Sequence, residues 1–420
     1  MRRQNNEERP FRLRNFYEEM FSDFLSQIDE LGDEDADILW LVFEDCLKNN
    51  KPDLCSKLLR MFKPKERRNV ILKKILQAKL CMERGNIEDA IRYLNEANQI
   101  NAKDDPESLR LQGYTLHLLG LIYAEKGKTR HAIEKLRKAV RIYDRVIRQS
   151  RRRDIISLRN KGLVLRDLGE ILVESGHYHE ALRALSSSVH IYNEILRFAK
   201  SRDLNILNDK ATSLRLLGEA LSEMGDEEGA IENIASAIHI HEKILKERKD
   251  PDPLSWYYRG LAYQSLGEIF IRQGDFANAL GAFSEAVFSF KMSIKSSSGI
   301  NPNAWHSLGL VFQSLGEIAM SRNRESAIRF MMLAVIAYRR ALEEQSYRNG
   351  ATLFNMSLAL SDIGTLLYGL GNRKSEEALC LALKYMRRAL NMSPEALRAY
   401  ISKTIDELQE YISAIGFSCV

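Results

Sequence analysis

The chain is 420 residues long, 45% hydrophobic and 28% charged, with only 8 prolines and 23 glycines. That length exceeds one ordinary compact domain, and the composition excludes collagen-like and proline-rich disordered chains. A formal charge of +5, with an isoelectric point of about 8.8, is too mild at this length to imply nucleic acid by itself.

From the start of the chain, the segment MRRQNNEERPFRLRNF holds no apolar core of the kind a secretory leader needs. No uncharged apolar run approaches the roughly 18 residues of a membrane helix, so no membrane partner is expected and a cytoplasmic location is the default. Two amphipathic helices are predicted over 11–31 and 34–48, the second carrying Asp33, Glu34, Asp35, Asp37, Glu44 and Asp45 at or near it. Residues 1–62 read either as an N-terminal cap or decayed repeat, or as a regulatory segment competing for a binding surface on the rest of the chain. Five cysteines, Cys46, Cys55, Cys81, Cys380 and Cys419, are scattered, odd in number and without metal-ligand spacing. Thiols of a reducing compartment are expected. Cys419 is next to last, the wrong place for a prenylation box.

From residue 63 to 393 the sequence repeats. Leu119-Gly120, Leu168-Gly169, Leu217-Gly218, Leu266-Gly267 and Leu315-Gly316 step by 49 residues, and Ile363-Gly364 follows after 48. Asp105, Asp154, Asp203, Asp252 and Asn301 keep the same step, as do Gly127, Gly176, Gly225 and Gly274. The Asp/Asn column predicts helix N-caps, with Pro106, Pro253 and Pro302 at first helical positions. The Gly127 column predicts helix ends in the left-handed conformation. Between them runs an apolar stripe with spacings of 3 and 4, such as Leu158, Gly162, Leu165, Leu168 and Leu172, whose small residues let a neighbouring helix approach. The added column Leu109, Leu158, Leu207, Trp256, Trp305 and Phe354 reads as packed helix rather than loop. A second helix comes next with its own stripe, Ala132, Leu136, Ala139, Tyr143 and Val146, repeated as Ala230, Ile234, Ala237, His241 and Ile244. Each unit is therefore an antiparallel pair of helices of about 20 residues and about 30 Å. A shorter unit precedes at Gly85, Ala90, Leu94 and Ala97, and a degraded one ends at Ala382, Met386, Ala389 and Pro394. Residues 394–420, with the narrow stripe Leu397, Tyr400, Ile401, Ile405, Leu408 and Ile412, read as a C-terminal capping helix and tail.

Tyr263-x2-Leu266-Gly267-x2-Phe270, then Ala279-x3-Phe283, resembles the tetratricopeptide repeat, whose signature is aromatic-x2-Leu-Gly-x2-Tyr and Ala-x3-Phe. The resemblance covers roughly residues 64–394, with a 49-residue period where the family uses about 34. The extra residues come to about seven per helix, roughly 10 Å each. The resemblance implies an all-α, α-α superhelix of antiparallel pairs whose first helices line a concave groove for a partner protein. Long-helix members include peptide-sensing regulators and parts of signalling scaffolds.

On the first helices a polar ladder steps by 49: Arg166 and Glu170, Arg215 and Glu219, Gln264 and Glu268, Gln313 and Glu317. Two readings stand. These residues hydrogen-bond an extended peptide in the implied groove, or they are i,i+4 pairs supporting solvated helices, worth a few tenths of a kcal/mol each. They do not match the family's Lys/Asn clamp for chaperone tails. A basic stretch over 128–153, with Arg137, Arg141, Arg145 and Arg148 on one helix face, reads mainly as a charged outer face, since Glu134 and Asp144 interrupt it. His239 and His241 stand two apart on a helix and point to different faces, so no metal site is expected. Met331-Met332 reads as core filler. No catalytic set and no cofactor-binding loop is present in the pattern. A non-enzymatic scaffold that binds a peptide or helix of another protein is the leading expectation. A sensing regulator of a nucleic-acid-associated, transcription-type machine is the alternative, and nothing in the sequence sets the oligomeric state.

Overall fold

The structure, a computed structural model, describes residues 31–48, 51–100, 105–150, 154–198, 203–247, 252–297, 299–345, 349–393 and 395–419. The helix expected over 11–31 lies, but for Leu31, outside the described residues. The chain is all-α, with four helices before the long repeats: α1 (Ala36–Lys48), α2 (Pro52–Met61), α3 (Arg67–Glu83) and α4 (Ile87–Gln99). The repeats continue as α5 (Pro106–Glu125) and α6 (Thr129–Gln149), α7 (Ile155–Glu174) and α8 (Tyr178–Phe198), α9 (Leu204–Glu223) and α10 (Glu227–Glu247). Next come α11 (Pro253–Arg272) and α12 (Phe276–Ser296), α13 (Pro302–Met320) and α14 (Arg324–Glu344), α15 (Gly350–Tyr368) and α16 (Lys374–Met392), and a last helix, α17 (Glu395–Ala414). Two compact units result: the described residues of Met1–Ile122 with Glu134–Ser157, and of Tyr123–Ile133 with Leu158–Val420.

Helix boundaries are set by the caps. Asp203 accepts from the Asn205 and Ile206 amides, Asp252 from Ser255 and Asn301 from Ala304, satisfying first-turn donors that the helix leaves unpaired. Gly127, Gly176, Gly225 and Gly274 all take φ between 70° and 83°, where a side chain is strained. In the first unit Asp33 does a longer-range version of the same job. It accepts from the backbone N–H groups of Lys65 and Glu66 and from Asn69 Nδ2, holding the start of α3 to the segment before α1.

Pairing within each repeat depends on two close approaches. At the first, an aromatic side chain of the second helix abuts a glycine of the first: Tyr143 on Gly113 in the first unit, then Tyr192 on Gly162, Phe290 on Gly260 and Tyr338 on Gly309 in the second. A methyl group on any of these glycines would lie between 2.5 and 2.9 Å from a ring carbon. The four rings are fully buried. At the second approach, Gly218, Gly267, Gly316 and Gly364 receive Ile234, Phe283, Met331 and Leu379 in the same way, at 2.6–2.8 Å. Two repeats depart from the first rule, at Ala211 in α9 and Ser357 in α15, and the α9 repeat compensates for it. Ala211 stands where its neighbours have glycine, and His241, with a smaller ring, stands where they have tyrosine or phenylalanine.

Two expectations are corrected. Cys380 and Cys419 are not free thiols but a disulfide, with Cα atoms 5.2 Å apart. The chain turns at Gly416 (φ 81°) after α17, lays Phe417 edge-on to Tyr368, and so returns Cys419 to α16, a proximity that spacing does not reveal. With that bond present, the five cysteines no longer point to a reducing compartment. Cys46 and Cys55 are buried free thiols, and burial pushes Cys55 up to about 12. Of the methionine pair, Met331 is core but Met332 faces outward, 52% exposed.

Gly260→Ala gains up to about 1 kcal/mol of helix propensity but overpacks Phe290, which costs about 1–3 kcal/mol, so a net loss is expected. Thermal denaturation of the full chain should show a lower Tm for Gly260→Ala. Adding Phe290→His, which copies the Ala211/His241 solution, should recover part of the loss.

Candidate protein-binding face

In the second unit the first helices of successive pairs touch one another: α9 meets α11, α11 meets α13 and α13 meets α15. Their Leu-Gly columns face the second helices, and a helix turns about 100° per residue, so the positions beside those columns share one face. The ladder residues Arg166 and Glu170 (α7), Arg215 and Glu219 (α9), Gln264 and Glu268 (α11), and Gln313 and Glu317 (α13) stand there.

Their partners differ from simple i,i+4 pairing. Arg166 donates through Nε and Nη2 to Asp167, its sequence neighbour, at 2.9 and 2.7 Å, and Nη1 lies 3.7 Å from Asp209 on α9. Arg159 donates to the other oxygen of Asp209 at 3.1 and 3.0 Å. Glu170 takes no part in that pairing. Arg215 does pair with Glu219, and Ser265 on α11 donates to the same carboxylate, so this rung joins two repeats. Gln264 donates to Glu268 at 2.9 Å, whereas the Gln313 carbonyl accepts from the Tyr338 hydroxyl at 3.1 Å. The ladder is a set of separate polar groups, three of which tie one helix to another: Arg166 with Asp209, Glu219 with Ser265, and Gln313 with Tyr338.

Electrostatics vary along it. Arg166 and Arg215 sit in surroundings where burial opposes their charge, yet the carboxylates of Asp167 and Glu219 respectively hold both guanidiniums firmly protonated. Burial raises Glu170, with Asp167 and Glu174 adding to the rise while Arg215 and Arg166 oppose it. Glu268 and Glu317 present open surface to solvent, and still desolvation is the main force raising both carboxyls. Farther along, on α15, Asp362 is pushed up to about 6 by burial, with the Glu317 charge adding to it.

Other polar groups packed against the first helices were not in the ladder, and Arg259 turns from it toward the second helices α10 and α12. Arg259 donates to Ser289 at 2.6 Å and Glu285 at 2.8 Å, lies 3.5 Å from Glu242, and stacks its guanidinium 4.6 Å from the centre of the Tyr263 ring. Its signal was available, since Lys161, Lys210 and Arg259 step by 49. Asp209 and Asp362 belong to no such column. His241 is fully buried against Tyr258, their rings nearly parallel at 13°, and neither ring nitrogen has a hydrogen-bond partner. Among the described residues no cluster of three or more His, Cys, Asp or Glu side chains could hold a metal ion, and no helix is long and apolar enough to cross a membrane.

The sequence profile of the tetratricopeptide repeat matches residues 114–145, which run from the middle of α5 into α6. The chain is a tetratricopeptide-type helical-repeat protein. Among solved structures it is similar to a signal transduction ATPase with numerous domains (STAND) protein bearing a tetratricopeptide repeat sensor, from Pyrococcus horikoshii. That match has 16% identity and a TM-score of 0.52, and covers 88% of this chain. This tetratricopeptide-type chain spans about half the length of that protein (49%). It is also similar to the apo form of RapI, at 16% identity and a TM-score of 0.51, covering 76% of this chain and 98% of RapI. At these identities the likeness shows the fold. No curated protein matches the chain in sequence.

Two titrations follow from the burial of this face. Burial, with Arg215 and Arg259 adding, lowers His241 to about 3 from an ordinary 6.5. The folded chain then binds its proton less tightly than the unfolded chain, so this group's stability contribution is lost as pH falls below 6.5. His241→Phe should therefore gain on the wild type between pH 7.5 and pH 5, by up to about 2 kcal/mol at the acid end. For Asp362 the sign reverses. Its stabilising contribution is full below 3.8 and is lost as pH rises towards 6, so Asp362→Asn should raise the Tm at pH 8 and give no gain below about pH 4. At pH 8 that gain is on the order of 1–2 kcal/mol.

Proposed function

We propose that this protein is a non-enzymatic interaction scaffold whose second unit holds a peptide or helix of another protein along its first-helix face. The observation that carries this reading is the pair Glu268 and Glu317, open to solvent and yet desolvated. Each carboxylate already takes a hydrogen bond from the glutamine one turn away, Gln264 or Gln313, and keeps acceptor capacity that a peptide's N–H groups or basic side chains can fill. Of the rest of the ladder, Arg166, Glu170, Gln264 and Gln313 supply both donors and acceptors, which suits an extended backbone. Arg215, Glu219 and Ser265 are already joined to one another and serve to fix the wall rather than to contact the ligand. The polar character of the face limits affinity, because each carboxylate must lose its remaining water on binding.

The test is a selection of peptides from a displayed random library on the wild-type chain, with binding then measured by titration. The comparison is Glu268→Gln/Glu317→Gln, its folding checked by circular dichroism. Selected peptides rich in Lys or Arg that bind the variant at least tenfold more weakly support the reading. Peptides that bind both proteins equally would remove the ladder from the binding site.

A further inference from the structure

We propose that α1 of one copy of this chain docks on the outer face of α14 of a second copy, an acid-flanked apolar surface against an arginine-flanked one. The contact uses no first-helix residue of the peptide face and is independent of it.

Both helices expose apolar residues that their own packing does not require. On α14, Ala327, Met331, Ala334 and Tyr338 are buried, while Met332, Leu333 and Ile336 face solvent. The repeat does not ask for this. Leu185, Ile234, Phe283 and Met331 close on Gly169, Gly218, Gly267 and Gly316, which puts the four in register. One, two and five residues after them stand Ser186, Ser187 and His190 on α8, and Ala235, Ser236 and His239 on α10. On α12 they are Ser284, Glu285 and Phe288, and the Phe288 ring meets Trp256 edge-on. Of these four helices, α14 alone turns three large apolar side chains outward. On α1, Leu39, Phe43 and Cys46 are buried, and Ile38 and Leu41 are 64% and 69% exposed. Among the described residues no other large apolar side chain of α1 to α6 is exposed. Within its own chain α1 packs on α2 and α3, and α14 packs on α13 and α15.

The charges beside the two patches have opposite sign and the same spacing. Glu34, Ile38, Leu41 and Asp45 follow one another at 4, 3 and 4 residues, and so do Arg329, Leu333, Ile336 and Arg340. All eight are exposed. At about 100° per residue each set keeps to one side of its helix, with Glu34 in the turn just before α1. Two helices meeting along these rows set an acid beside an arginine at both ends and close apolar surface between them. Like against like fails: α14 on α14 brings arginines together, and α1 on α1 brings acids together. A helix of another protein would have to repeat the row that α1 already supplies at equal concentration.

Two of the four charges hold partners already. Arg340 has Glu343 at 3.3 Å, and Asp45 has an interaction inside its own chain. Exposed pairs of this kind are worth little, so an incoming helix can exchange them. With one α1 and one α14 per copy, the contact either closes a ring, the smallest of two copies, or adds copies end to end. The matched surface is small, which places it among weak associations that bury less than about 1,200 Å².

The test is sedimentation equilibrium of the full chain over about a hundredfold range of protein concentration, at low and at high salt. The weight-average mass should rise above the 48.3 kDa of one chain, and rise less at high salt. Glu34→Lys/Asp45→Lys and Arg329→Glu/Arg340→Glu, each with an unchanged thermal melt, should associate at least about tenfold more weakly. Mixed in equal amounts, the two variants should associate as the wild type does, because each then meets opposite charge on the other. Ile38→Ser/Leu41→Ser removes exposed side chains only and should show the same loss, which keeps the test open if a charge variant fails to fold. A wild type that stays at the mass of one chain overturns the proposal. So do folded charge variants that associate as well alone as the wild type does, or a mixture of them that stays apart.

Discussion

The close approach of a bulky side chain to a glycine on the partner helix sets the geometry on which the repeats depend. It occurs twice in the α7–α8, α11–α12 and α13–α14 pairs, once under an aromatic ring and once under an aliphatic or aromatic knob nearer the helix ends. Two contacts on one line fix both the separation and the rotation of a helix pair, because only one rotation places both glycines under both knobs. Rotation in turn determines which residues of each first helix look away from its partner. The ladder faces where it does because Gly218, Gly267 and Gly316 face the second helices one position before Glu219, Glu268 and Glu317. Ala211 with His241 shows the same constraint solved differently, a methyl gained on one side and ring volume given up on the other. The cost of that solution is a buried imidazole with two unpartnered nitrogens.

Charged groups divide into two physical classes. On the first-helix face of the second unit they are crowded, and each arginine there is tied to carboxylates across a helix or between helices. Removing one partner from such a network leaves the other charge desolvated, so its members are coupled rather than additive. On α6 the arginines are exposed, and each contributes little to the stability of the fold. The same residue type is therefore held in a crowded network in one place and lies on the surface in the other.

Much of the fold was legible in the residues. Caps, helix ends and the apolar stripes act locally, within one or two turns, and a tandem repeat prints them four or five times over in one register. Asp203, Asp252 and Asn301 cap where their column places them, and the four turn glycines take the left-handed conformation. The ladder positions were legible for the same reason, but their partners were not. Arg166 has Glu170 one turn away and bonds Asp167 and Asp209 instead, because Asp209 arrives from the next first helix. Asp362 stands on a repeat whose period slips to 48, so it belongs to no column, and its raised pKa comes from burial and from Glu317 on another helix.

Features that depend on neighbours along the chain are written in the residues: helix starts and stops, which face of each helix is apolar, and where a small residue admits a close neighbour. Those are short-range steric and hydrogen-bonding effects, and period and spacing express them directly. Only the tertiary structure decided which charges meet, which carboxylates lose their water, and that Cys419 returns to Cys380 past Gly416. These depend on distances between residues dozens of positions apart, and desolvation is a property of the surrounding protein rather than of the residue that carries the charge.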